Sequence, residues 1–437
     1  MAQRRKQSLS VTSRRRFLQG ALGAAGLPSL KMHGVLAAAT QPADDAMQCD
    51  LPVRAVTHGP KSHFFGYYDK CPWDGSGRYL LAMQVGFYNR NPQPGEALTL
   101  GTIDMQRGDR FEPFGTTLAW SWQQGTMLQW MGTSRRVIYN TLDGDHYAAV
   151  IRDLDTGRTR TLPRPICAIS GDGRQAVTLD YERVNRLRPG YGYIALPESN
   201  PDDPAPADRG IYWMDLATGE NKLILSLEWA AGHRPDERFE GGEHWFNHLQ
   251  FNPSGTRFVF LHRWRKPDSK GWQTRLYTAA PDGSDVRLLS DAGMVSHFDW
   301  RDDRTILAWT RTPDRGTHFY LIDDRTGAHT VVGQGVLPRD GHCTYSPDRK
   351  WILTDTYPDR AHMQTLILYR VADGRRFDVG RFYQPPALHH KPYRCDLHPR
   401  WNRDGTQICI DSTHELSRQM YLIDVSEIVK SQGESHG

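Results

Sequence analysis

Four histidines occupy one repeated position in the chain. Each lies three residues before the aromatic that opens a recurring turn: His248 before Phe251, His297 before Trp300, His342 before Tyr345 and His398 before Trp401. Imidazoles converging from neighbouring segments suit a divalent transition metal, with zinc and manganese the best matches to nitrogen ligands. Cys395, three residues before His398, adds a softer candidate ligand. The plainer alternative is that each histidine bonds a nearby backbone group and fills a channel. Three earlier copies of the turn carry Lys70, Met127 and Ile166 at the same step, so the histidines belong to one side only.

A second chemistry is concentrated between Tyr181 and Arg209. That stretch opens Tyr181-Glu182-Arg183-Val184-Asn185-Arg186-Leu187-Arg188-Pro189-Gly190-Tyr191. Arginines beside tyrosines suit a grip on an anionic substrate, with rings for a sugar to stack on. A solvated surface loop whose tyrosines pack inward is the competing reading. His63 has two readings as well, a turn histidine making one local bond or a proton-transfer group.

The elements that must position these residues are repeats. The first signal is an aromatic or aliphatic residue, a polar Asp/Gly/Pro turn and a β-rich run. It begins at Trp73, Trp130, Ile169, Phe251, Trp300, Tyr345 and Trp401. A second signal, an apolar strand ending in a tight turn such as Asp155-Thr156-Gly157 or Arg325-Thr326-Gly327, alternates with it seven times. Two hairpins per repeat give four strands, at a period of roughly 40–55 residues with one longer copy. This predicts an all-β chain, a seven-bladed β-propeller of four-stranded antiparallel blades. The first strand of each blade lines the channel, which brings the four histidines together. The longest insertion falls between the second and third strands of blade three, on the same face. Trp122, Trp130, Trp213, Trp300 and Trp401 read as packing between blades.

The 437 residues carry 54 basic and 50 acidic side chains. Seven of the basic ones lie in residues 1–39, which hold no acid, so the remaining body has a net charge of −3. That balance gives no reason to expect nucleic-acid binding. Ser13-Arg14-Arg15-Arg16-Phe17-Leu18-Gln19, the weakly apolar run after it and Ala37-Ala38-Ala39 resemble a twin-arginine export signal. The expectation is a signal peptide over 1–39, a single propeller over 40–437, passage through the twin-arginine machinery and a periplasmic or secreted location. No membrane span is expected in the mature chain. The six cysteines form no close pair, and no disulfide is assigned.

Three sets of residues carry a family resemblance. His63-Phe64-Phe65-Gly66-Tyr67-Tyr68-Asp69-Lys70, the segment Trp122-Gln123-Gln124-Gly125 and the inner-strand histidines resemble seven-bladed propeller polysaccharide lyases, the oligogalacturonate lyases and propeller-type ulvan lyases. The resemblance spans the mature chain. It implies β-elimination on uronate-containing polysaccharides or oligosaccharides, with a divalent metal held by His248, His297, His342 and His398. It further implies a catalytic group of His63, Arg164 and Tyr181, and substrate contacts from Tyr67, Gln84, Gln124, Arg188 and Tyr191. Gln84 stands where some ulvan lyases carry a second histidine, and as an amide it can bind a carboxylate but not act as a base. A non-catalytic propeller that binds glycans or a protein partner is the alternative. A hydrolase is disfavoured, because there is no Gly-x-Ser-x-Gly elbow, and nothing points to a flavin, nicotinamide or nucleotide.

Overall fold

The computed structural model describes residues 45–430, so the export-signal expectation at 1–39 lies outside the described residues. Seven antiparallel sheets follow one another along the chain, and in the first six the four consecutive strands form a meander from the axis outward. Blade one runs Ser62–Phe64, Tyr79–Val85, Leu98–Asp104 and Arg110–Thr117. The inner strands of the next six blades are Gln129–Trp130, Ala168–Ile169, Glu243–Phe251, Val295–Trp300, Thr344–Tyr345 and Arg400–Trp401. The seven-bladed propeller expected from the repeats is the observed fold.

Local chemistry sets the outer hairpins. In blades two, three and five the motif Asp-x-x-Thr-Gly recurs, and the leading aspartate accepts from the threonine amide at 2.7–2.8 Å (Asp153, Asp215 and Asp323). The glycines that follow, Gly157, Gly219 and Gly327, have φ of 73°, 84° and 69°, a left-handed conformation that glycine adopts without a steric penalty. Tryptophans tie blades together: Trp130 Nε1 donates to Pro72 O at 2.8 Å, and Trp300 Nε1 to Gln250 O at 3.2 Å. Trp122, Trp130, Trp300 and Trp401 are buried, whereas Trp213 is only half-buried, with its Nε1 on Gln175.

The repeat count hid how the ring closes. Tyr421-Leu422-Ile423-Asp424 is followed by the short helix Ser426–Lys430 rather than by a fourth strand. The outer strand of blade seven is instead Val53–Ala55, from the start of the described chain, paired antiparallel with Gln419–Asp424. Just before it, Met47–Gln48 adds a fifth strand to blade six. Both ends of the described chain therefore lock into the sheets that meet there. Among the described residues no helix is long and apolar enough to cross a membrane.

Candidate active site

The channel mouth is built around Tyr67 and Tyr68, which leave the inner strand of blade one and enter the space between the histidines. Ring centroids of Tyr67 lie 4.8 Å from His248, 5.2 Å from His398 and 6.2 Å from His342. Tyr68 donates to Phe298 O and accepts from Phe298 N, both at 3.0 Å, which pins it against blade five. The segment is anchored from blade seven. Arg400, fully buried, reaches Gly66 O at 3.1 Å and pairs with Asp411 at 2.7 Å, and Asp411 accepts from Phe65 N.

All four inner-strand histidines are brought together, but they do different things. His342 and His398, with Asp396, offer ligand atoms that all lie within 4.8 Å of one another. Asp355 fixes His342 twice, accepting from its backbone amide at 2.8 Å and from Nδ1 at 2.9 Å. That leaves Nε2 of His342 buried and unpartnered, as are both ring nitrogens of His398. A carboxylate behind a ligating imidazole is the arrangement that fixes tautomer and orientation for metal binding. Burial holds His398 well below the usual imidazole range, so it is neutral and able to coordinate. Burial also opposes charge on His342, but Asp355 outweighs it and raises the ring. His297 is occupied by Asp340 at 2.9 Å, and His248 stacks on Phe298 at 4.2 Å with Asp69 3.5 Å from its Nε2. His248, both of whose ring nitrogens are buried without a hydrogen-bond partner, and His297 stand beside the group whose ligand atoms all lie within 4.8 Å of one another. His248 and His398 have φ of 49° and 43°, and this uncommon left-handed backbone aims their rings inward.

Asp396 was not singled out from the sequence. Arg394, Asp396 and His398 alternate along the segment that leads into the inner strand Arg400–Trp401, and Arg394 and His398 both lie against Asp396, at 3.0 Å and 3.9 Å. Burial pushes the Cys395 thiol up to about 12, and it stands outside the ligand group. All six cysteines are free thiols.

Next to the ligand group lies an arginine–tyrosine cluster. Arg394 donates through Nη2 to the Tyr191 hydroxyl at 2.9 Å and through Nε to Asp396 Oδ1 at 3.0 Å. Asp396 Oδ2 is 2.8 Å from Nη2 but out of line for a hydrogen bond, which leaves that oxygen open. The Arg188 guanidinium lies 4.1 Å from the Tyr191 ring centroid and 4.2 Å from that of Trp272, an exposed indole. Arg263, buried, lies 5.6 Å from the same indole. Nε and Nη1 of both Arg188 and Arg263 are buried without a partner. Burial lowers Arg263 to about 9, and Arg188 nearby adds repulsion. Burial alone would raise Tyr191, but Arg394 and then Arg188 outweigh it and pull the phenol down to about 8. Tyr67, whose ring is 6.4 Å from that of Tyr191, is driven well up by burial and by Tyr191.

The other residues expected from the sequence are placed elsewhere. Tyr181 begins a helix, Tyr181–Leu187, and is buried in the blade-three core, stacked on Tyr193 at 4.0 Å with its hydroxyl on Ile166 O. Its hydroxyl is committed to the backbone within blade three, away from the histidines and the arginine–tyrosine cluster, so the catalytic role expected for it does not fit. Arg164 is held by Asn221 at 2.6 Å and lies over Tyr212 on the outer flank of blade three. His63 is spanned by Gln419 at 3.0 Å on Nδ1 and Gln84 at 2.7 Å on Nε2, which occupies both ring nitrogens. Gln84 also accepts from Lys61. Gln124 is buried, with its backbone against Gly66 and its side-chain nitrogen unpartnered. Within the insertion, Arg183 and Arg186 are structural. Arg183 donates to His244 O, Glu198 and Pro204 O, and Arg186 pairs with Glu198 and Glu243. Arg188 and Tyr191 alone of that stretch reach the cluster. Arg263, Arg394, Asp355 and Asp396 are the site residues the sequence reading missed.

The fold and site define a seven-bladed propeller with a histidine–carboxylate group beside an arginine–tyrosine cluster. Among solved structures it is similar to an oligogalacturonate lyase from Vibrio parahaemolyticus, with a TM-score of 0.61 and 13% identity over 88% of this chain and 96% of that one. It is also similar to an oligogalacturonate lyase in complex with manganese, with a TM-score of 0.59 and 15% identity over 89% and 96%. At such identities the likeness is one of fold. No family model matches the chain. A search of curated proteins by sequence also finds no match.

Proposed function

We propose that this protein is an exported lyase that cleaves uronate-containing oligosaccharides or polysaccharides by β-elimination, at the cluster around Tyr191. The observation that carries the reading is a pair of tyrosines with opposite electrostatics. Tyr191 is pulled down to about 8 and Tyr67 is driven up, within 6.4 Å of each other. Two titratable groups pushed apart in this way suit the roles of a base and an acid. The fold shared with oligogalacturonate lyases supports the same class of reaction.

The chemistry requires three things. The uronate carboxylate must be neutralised so that charge can move onto it, and the unpartnered N–H groups of Arg188 and Arg263 are placed for that. The proton on the carbon α to the carboxylate must be taken, and Tyr191 takes it as a phenolate. The bond to the glycosidic oxygen then breaks as the double bond forms, and Tyr67, still a phenol, gives its proton to the leaving oxygen. Trp272, open to solvent, offers a face for a neighbouring sugar.

A divalent metal fits the residues present. His342, Asp396 and His398 would hold it, and their unpartnered buried atoms are what an ion would satisfy. When bound, such an ion supplies positive charge that a carboxylate can share. Manganese is favoured over zinc by the manganese complex of the similar lyase. Export rests on the twin-arginine motif at Ser13–Gln19.

Elimination and hydrolysis differ in mass. Mass spectrometry of oligogalacturonate after incubation with the manganese-loaded protein should give fragments whose masses add up to that of the substrate. Fragments together heavier by one water per cut would make the protein a hydrolase. Intact substrate at all uronates tried, with saturable binding, would make it a glycan-binding propeller.

A further inference from the structure

Outside the channel, a cavity of about 730 Å³ lies on the flank between blades two and three. The insertion that gives Arg188 and Tyr191 to the channel cluster also supplies Ser199, Asp208 and Arg209 to this second wall. The cavity lining mixes polar and charged side chains with prolines. Within it, Thr178 is 2% exposed and its hydroxyl has no partner. Asp180 beside it has Oδ1 3.5 Å from Arg209 and Oδ2 buried without a partner. Tyr212 stands opposite Thr178 across the strand pair, and Arg164 lies flat on it at 3.5 Å. Pro163, Pro165 and Pro197 belong to the same lining.

We propose that this cavity is a second saccharide site, selective for a neutral sugar. Unpartnered oxygens on Asp180 and Thr178 are matched by sugar hydroxyls, which donate as well as accept. The rings of Pro163, Pro165 and Pro197 offer apolar surface to the C–H faces of a pyranose. A uronate is disfavoured here, because its carboxylate would enter beside Asp180 and Glu182. Asp145, Asp180, Glu182 and Asp208 line the cavity against Arg164 and Arg209, so its wall offers no surplus positive charge for another anion. The volume accommodates one or two sugar rings. This is the opposite preference to the channel cluster, where unpartnered arginines face the ligand.

The test is isothermal titration calorimetry of the intact protein with galactose, xylose and cellobiose, and with galacturonate as the anionic probe. At least one neutral sugar should bind saturably, and galacturonate should not displace it. Thr178→Val and Asp180→Asn should each weaken that binding about tenfold, as expected for one lost hydrogen bond to a charged or buried partner. Thermal melts establish that both variants fold. If either does not, Arg209→Gln, at the cavity wall, should weaken binding in its place. Absence of heat with every neutral sugar would overturn the proposal. So would binding that survives the substitutions, or displacement by galacturonate. The measurement reads binding away from Tyr191, so its outcome is independent of whether the channel cluster performs elimination.

Discussion

Arg394 joins the two halves of the channel site. One of its nitrogens donates to the Tyr191 hydroxyl at 2.9 Å, and another donates at 3.0 Å to Asp396, a member of the three-ligand group. The guanidinium therefore lies between the group that would carry the metal and the phenol assigned as base. Its charge is the largest influence pulling Tyr191 down against burial.

Tyr191→Phe removes the proton acceptor and keeps the ring. Turnover of a uronate substrate should fall by roughly 10²–10⁴, the usual contribution of a positioned acid or base. Far-ultraviolet circular dichroism should match the parent. The fall should be in kcat more than in KM, because Arg188 and Arg263 still receive the carboxylate.

The pH profile follows from the sign of the Tyr191 shift. The active form is the phenolate, and its fraction grows as pH rises through about 8. kcat/KM should climb on the alkaline side of neutrality and level off above that value. Arg394→Met withdraws the stabilising charge, so the rising limb should move to higher pH by about one unit or more. An unmoved limb would assign the titration to another group.

Metal binding can be read without turnover. His398→Ala and Asp396→Asn should abolish manganese binding in calorimetry of the metal-free protein. Asp355→Asn leaves the ligand atoms in place but loosens His342, and should weaken binding by about 10–100-fold. His297→Ala should have a smaller effect, because His297 lies outside the group whose ligand atoms fall within 4.8 Å of one another.

Stability should depend on the anchor behind Tyr67. Asp411→Ala leaves Arg400 buried without its partner and frees the Phe65 amide. Loss of one member of a buried pair costs about 3–5 kcal/mol, measurable as a lower midpoint in urea. His63→Ala separates the sequence expectation from the structural account. With both ring nitrogens spent on Gln419 and Gln84, its loss should leave turnover essentially unchanged.

The fold was legible because turn chemistry is local. Asp-x-x-Thr-Gly hairpins and aromatic–polar turns mark blades without knowledge of what packs on them. Closure of blade seven by Val53–Ala55 was not legible, since pairing across the whole chain leaves no hairpin to read. The histidines were legible as a register, yet register does not say which side chain is free. Asp340 holds Nδ1 of His297 and Phe298 stacks on His248, and only the structure shows it. Tyr181, Val184 and Leu187 repeat at helical spacing, and that apolar face turned the expected catalytic tyrosine into core. The alternation of Arg394, Asp396 and His398 was readable in the sequence, although the segment itself is no regular strand. Arg263 had none, because its place depends on blade four facing the insertion of blade three.

The most direct measurement is ultraviolet absorbance of oligogalacturonate incubated with the manganese-loaded protein and with its Tyr191→Phe variant. Elimination creates a carbon–carbon double bond conjugated to the carboxylate, which absorbs where the substrate does not. The account predicts a steady rise with the parent and a flat trace with the folded variant. An equal rise with both would contradict the assignment of Tyr191. No rise with the folded, metal-loaded parent on any galacturonate or glucuronate polymer would contradict the lyase itself.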